Sequence, residues 1–159
     1  MTLEEKVVEL LRKKGLVLSC AESCTGGLIA KRITDVSGSS SVFNCGIVSY
    51  SNEIKEKVLG VKSETLKKYG AVSEQTVREM VSGVIKLSGS NIAVAVSGIA
   101  GPNSDNTDKP VGLIYLAVSN CEKVVVKQLN NTFQNDVRNS NRTSASDEAL
   151  KMIIEMIGV

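Results

Sequence analysis

The 159-residue chain contains no histidine and no tryptophan. The first absence excludes a serine–histidine–aspartate triad and a cysteine–histidine pair outright. It also leaves a zinc site nothing but thiolates and carboxylates. The four cysteines (Cys20, Cys24, Cys45 and Cys121) form no CxxC pair, so no metal site is expected. Aromatic residues make up only 3% of the chain, too few for a platform on which single-stranded nucleic acid would stack. The formal net charge of +2 is too small for a protein that tracks a phosphate backbone. No apolar run is long enough to span a bilayer, and the first stretch carries Glu4, Glu5 and Glu9, unlike a signal peptide. Cysteines without an evident framework read as free thiols in a reducing cytoplasm, mostly as small buried residues. These exclusions leave a cytoplasmic globular protein with no nucleic-acid or membrane partner. Its length fits one domain, 1–159.

What is present is alternation. "TLEE" is a capping box, Thr2 with Glu5, before an apolar helical face of Leu3, Val7, Leu10 and Leu11 that Gly15 closes. "LVLSC" (16–20) reads as a buried strand, followed by a helix over 25–34. "SVFNCGIVSY" (41–50) is β-rich, and short helices over 52–59 and from Ser63, as a cap, to Tyr69 follow. Ser73 caps a longer helix whose Val77, Met80, Val81, Val84 and Leu87 repeat every 3.6 residues. "NIAVAVSG" (91–98) is a buried strand, 99–112 a loop, and "LIYLAVS" with "KVVVKQL" a hairpin. Leu150, Ile153, Ile154 and Ile157 mark a last helix. The order predicts a three-layer α/β/α domain around a mixed, mostly parallel sheet.

Four stretches carry candidate chemistry. "AESCTGG" places Ser23, Cys24 and Thr25 before Gly26 and Gly27 at a strand-to-helix junction, where free N–H groups and the helix dipole suit an anion or oxyanion. The plain alternative is a helix cap with a glycine packing point. The spacing fits neither a P-loop nor a dinucleotide fingerprint. If Ser23 attacks, a chain without histidine must activate it through a lysine kept neutral by desolvation or a nearby cation. Cys24 is a rival nucleophile with the same shortage of bases. "YSNEIK" (50–55) follows directly on a predicted strand, so Lys55 can be that base, with Tyr50 relaying a proton or orienting the amine; the alternative for Lys55 is a solvated helix lysine. "SGIAGP" (97–102) forms a tight turn at another strand end. Arg138 and Arg142 share one helix face and suit a phosphate, or form a surface stripe.

Together "AESCTGG", "GIVSYSNEIK", "GAVSEQTV", "SGIAGP" with "DKPVGLIYLAV", and the later "F…D…R…R" run resemble the C-terminal domain of the competence/damage-inducible protein CinA, a family that includes stand-alone nicotinamide-nucleotide amidohydrolases. The resemblance covers nearly the whole chain, in order. It implies hydrolysis of the carboxamide of nicotinamide mononucleotide to nicotinic acid mononucleotide and ammonia, in pyridine nucleotide recycling, without a cofactor. By it, Ser23 is the nucleophile, Lys55 the base and Tyr50 an auxiliary. The substrate-binding set is Thr25, Gly26, Gly27, Gly46, Ala100, Gly101, Arg138 and Arg142. Two departures stand out. "NSDNTD" replaces the family's glycine-rich loop after "GIAGP", and "FQNDVRNSNR" has asparagine for glycine and one inserted residue, so the arginines are matched by spacing. The expected partner is a small-molecule nucleotide, and a homodimer is compatible with the pattern. The rival reading is a non-catalytic nucleotide-binding or interaction domain of a CinA-type protein.

Overall fold

A computed structural model describes residues 1–158 of the chain. Five strands form one sheet in the order β2-β1-β3-β4-β5. They are β1 (Leu18–Glu22), β2 (Phe43–Val48), β3 (Ile92–Gly98), β4 (Leu113–Ser119) and β5 (Val124–Asn130). β1 pairs parallel with β2 and β3, while β3–β4 and β4–β5 are antiparallel. Only β4 therefore runs against the other strands, and the sheet is mixed as expected. The helices are α1 (Leu3–Lys14), α2 (Leu28–Thr34), α3 (Asn52–Leu59), α4 (Ser63–Tyr69), α5 (Glu74–Ser88) and α6 (Val137–Gly158).

Strand alternation explains the layers. Ile92, Val94 and Val96 of β3 belong to the core shared with α1, α2 and α6, whereas Ala93 and Ala95 face α5. The small alanine face lets α5 lie close. Gly83 of α5 meets the end of α3 so tightly that an added Cβ would collide with the Leu59 carbonyl. Gly83→Ala is therefore expected to destabilise the fold by about 1–3 kcal/mol, the usual cost of overpacking, read as a lower midpoint in thermal melts. On the other face Arg32 of α2 bonds both Glu4 of α1 and Asp147 of α6, tying three helices together.

The predicted elements recur with instructive shifts. The capping box at Thr2–Glu5, the Gly15 and Gly60 helix ends and the Ser73 cap are all present. The first strand runs two residues later than predicted, so Glu22 lies inside the sheet, fully buried. The helix expected from Thr25 starts only at Leu28, because Gly26 and Gly27 adopt left-handed φ values of +60° and +102° and make a turn first. Ser63 is the first residue of α4 rather than its cap; the preceding Lys62 donates its N–H to Glu79. The last helix begins well before Leu150, with Arg138 and Arg142 on its first turns.

The topology opens a place for a site at one end of the sheet. β1 leads into α2, which packs on one face of the sheet, and β2 leads into α3, whose end packs with α5 on the other. Connections that part to opposite faces open a crevice at the carboxyl ends of the strands. The ends of β1 and β2 stand level, with Glu22 paired to Val48. Ser23 and Ser49 therefore leave the sheet side by side.

Candidate active site

A pocket of about 570 Å³ opens at this crevice, lined among others by Ser23, Lys55, Tyr50, Ser97, Gly101 and Arg138. Lys55 sits there because Ser51 caps α3, accepting from the Ile54 N–H at 3.2 Å, and the helix then turns its fourth residue inward. Lys55 as a whole is only 2% exposed. Its Nζ lies 2.9 Å from Ser23 Oγ and donates to the Ser49 carbonyl at 2.7 Å. Among the described residues no carboxylate pairs with it. Burial without an anion penalises the charged form, and the Lys55 pKa falls to about 8, the neighbouring Cys24 sulfur opposing that fall. A neutral amine held by one N–H to Ser49 keeps its lone pair for the Ser23 proton. Cys24 is the contrary case: burial pushes its thiol up to about 12, so little thiolate exists to compete.

The turn after Ser23 is held by a carboxylate that spacing did not single out. Glu22 Oε1 accepts from the Thr25 hydroxyl at 2.6 Å and the Ile29 N–H at 3.0 Å, and Oε2 accepts from the Ala30 N–H at 2.9 Å. The start of α2 is thus occupied from within, and the expectation of an open helix terminus for a substrate anion is corrected. Thr25 is fully buried as an anchor of the turn, and Gly26 and Gly27 shape that turn without lining the pocket. Gly46 is likewise not at the pocket; a Cβ there would press on Ala30, Phe43 and Cys20, which makes it a packing glycine.

The other predicted residues divide. Tyr50 lines the pocket but is 60% exposed, and its hydroxyl accepts from Arg138 Nη2 at 2.9 Å rather than touching Lys55. Arg138 also donates to the Gly101 carbonyl at 2.8 Å and stands at the rim, where a cation can meet a bound anion. Ala100 and Gly101 form the wall opposite, and Ser97 is buried at its base. Arg142 lies outside the pocket lining and bonds the Cys24 and Thr25 carbonyls instead. It does not figure in the lowered Lys55 pKa: of the two expected causes, desolvation or a nearby cation, burial is the one at work. Sequence reasoning missed Glu22, Ser49 and Asn141. A glutamate at the end of an otherwise apolar run was the only available signal for the first.

A family model described as "CinA C-terminal domain" matches residues 1–157. The chain is 49% identical over 157 residues to a "CinA-like protein" of Kosmotoga olearia, covering 98% of this chain and 38% of that protein. A "CinA-like protein" of Chloroherpeton thalassium is 45% identical over 159 residues, again with 38% of its length covered. The chain thus spans about a third of the length of the curated relatives it matches. Among solved structures, the competence/damage inducible protein CihA from Agrobacterium tumefaciens superposes with a TM-score of 0.89 at 40% identity, covering 99% of this chain and 96% of that one. The competence damage-inducible protein A from Klebsiella pneumoniae does so at 0.93 and 33%, covering 98% and 95%.

Proposed function

Because this chain belongs to the CinA C-terminal domain family of competence/damage-inducible proteins and pairs a serine with a buried lysine, we propose that it is a serine–lysine amidohydrolase acting on nicotinamide mononucleotide. The observation that carries the reading is the contact of Lys55 Nζ with Ser23 Oγ at 2.9 Å, with the amine shut away from water and from carboxylates. Ser23 Oγ attacks the carboxamide carbon as Lys55 takes its proton. Backbone N–H groups of the Cys24–Thr25 turn stabilise the oxyanion, each good donor being worth ~3 kcal/mol. The proton returns from Lys55 to the departing nitrogen, ammonia leaves, and water activated by the same amine clears the acyl-enzyme. Arg138 and the Ala100–Gly101 turn meet the nucleotide phosphate, and Tyr50, tied to Arg138, orients that cation. Incubation with nicotinamide mononucleotide is expected to release ammonia and nicotinic acid mononucleotide in equal amounts. Nucleotide binding with no ammonia released would mark a non-catalytic binding domain instead.

The lowered Lys55 pKa sets the pH response. The amine works unprotonated, so kcat is expected to be low near pH 6, to rise through about pH 8 and to level off above it. Cys24, held near 12, stays protonated across this range and adds no second limb. A kcat profile that is flat, or falls, through pH 8 would remove Lys55 as the base.

A further inference from the structure

Arg142 does its bonding away from the substrate. Its Nε donates to the Cys24 carbonyl at 3.1 Å and its Nη2 to the Thr25 carbonyl at 2.9 Å. These are the two residues that follow the nucleophile. In a planar trans peptide the C=O and N–H point in opposite directions. A guanidinium that holds the Cys24 carbonyl toward α6 therefore turns the Thr25 N–H away from α6. Thr25 is fully buried and outside the pocket lining, so what Arg142 fixes is the course of the turn behind Ser23, in which the Gly26 N–H is taken by Ser23 and the Leu28 N–H by Thr25. Gly26 permits the approach, since a Cβ there would stand 3.1 Å from Arg142 Nη2.

Asn141, one residue earlier, treats the facing turn the same way. Its Nδ2 donates to the Ala100 carbonyl at 2.9 Å, and its Oδ1 is buried without a partner. Exchanging the two amide atoms would set oxygen against oxygen, so the orientation is fixed. An amide kept with one atom unsatisfied is kept for its donor. The first turns of α6 thus take the carbonyl side of both pocket turns.

Resting on the serine–lysine reading above, we propose that Arg142 is a positioning residue that holds the turn after Ser23, and with it the nucleophile, in place, and is not a ligand of the substrate's phosphate. The discriminating probe is p-nitrophenyl acetate, an activated ester with neither phosphate nor nucleotide. Attack by Ser23 releases p-nitrophenol, and water frees acetate from the acyl-enzyme. Arg142→Lys keeps the charge and Arg142→Gln keeps one amide donor, but neither spans both carbonyls. Both are expected to lose about tenfold or more in Ser23-dependent ester cleavage and in ammonia release alike, with KM for the mononucleotide within about threefold of the parent. Full ester cleavage with a raised mononucleotide KM would make Arg142 an anion ligand and overturn the proposal, as would loss of the folded state in both variants, seen by circular dichroism. The parent chain separates the premises. Ser23-dependent ester cleavage without ammonia release defeats the nucleotide reading and leaves Arg142 as assigned; no Ser23-dependent cleavage of either substrate defeats both.

Discussion

Ser23→Ala is expected to lower ammonia release by about two orders of magnitude or more, the scale set by losing an activated nucleophile, without unfolding the protein. The second half of that expectation comes from where the structure puts the capping. The first N–H groups of α2 are bonded by Glu22, not by Ser23, and the Ser23 hydroxyl engages only Lys55. Removing it therefore forgoes no cap, whose loss would cost roughly 1 kcal/mol. Cys24→Ala is the matching control and is expected to keep most of the turnover, since burial holds that thiol near 12. The measurement is kcat for each variant beside its melting midpoint. Turnover abolished by the cysteine change and kept by the serine change would exchange their roles. A large fall in the melting midpoint of Ser23→Ala would return Ser23 to a structural part.

Lys55→Arg is expected to lose kcat as heavily as Lys55→Ala, by roughly 10² or more. An exposed lysine titrates near ~10.4, so fewer than about one in a thousand would be neutral at pH 7. With its pKa near 8, roughly a tenth of Lys55 is neutral at that pH. Guanidinium stays protonated in proteins and has no lone pair to offer, so arginine keeps the charge and removes the base. A lysine that merely attracted the phosphate would tolerate the change in part and lose mainly affinity. Lys55 lines the pocket beside Ser23 and away from the Arg138 rim proposed to meet the phosphate, so mononucleotide affinity is expected to survive in the variant, checked by direct titration alongside kcat. Turnover close to the parent in Lys55→Arg would end the serine–lysine mechanism.

The layers, the order of elements along the chain and the hairpin were legible because they rest on periodicity, and periodicity is local. The alternation of large and small residues in "IAVAVSG" marks two faces of a sheet before any fold is known. Ser23 stood out as a candidate because a polar triplet with two glycines follows an apolar run, a pattern that a helix cap with a packing glycine would also give. Lys55 emerged from its place after a strand and from family resemblance. What stayed hidden is direction. Spacing put Arg138 and Arg142 on one helix face, and both are there, yet one reaches the pocket rim and the other two backbone carbonyls. Gly46, put in the substrate-binding set by the resemblance, proves to be a packing position in β2. Glu22 was read as part of a motif rather than as a cap, because its partners Ile29 and Ala30 depend on where the turn releases the chain into α2.

The burial of Lys55 has a consequence for when the chain becomes reactive. In an extended or partly folded chain Lys55 is an ordinary charged amine and Ser23 an ordinary hydroxyl, each as inert as on any protein surface. Nothing in their local sequence alters that. They acquire their chemistry together, when β1 and β2 come level and α3 closes over the amine. The turn that follows Ser23 is completed by a residue 118 positions away from Cys24. On the proposed mechanism, folding itself is thus the activation step. On the serine–lysine reading, any lapse in packing that lets water reach Lys55 restores its charge and switches the serine off.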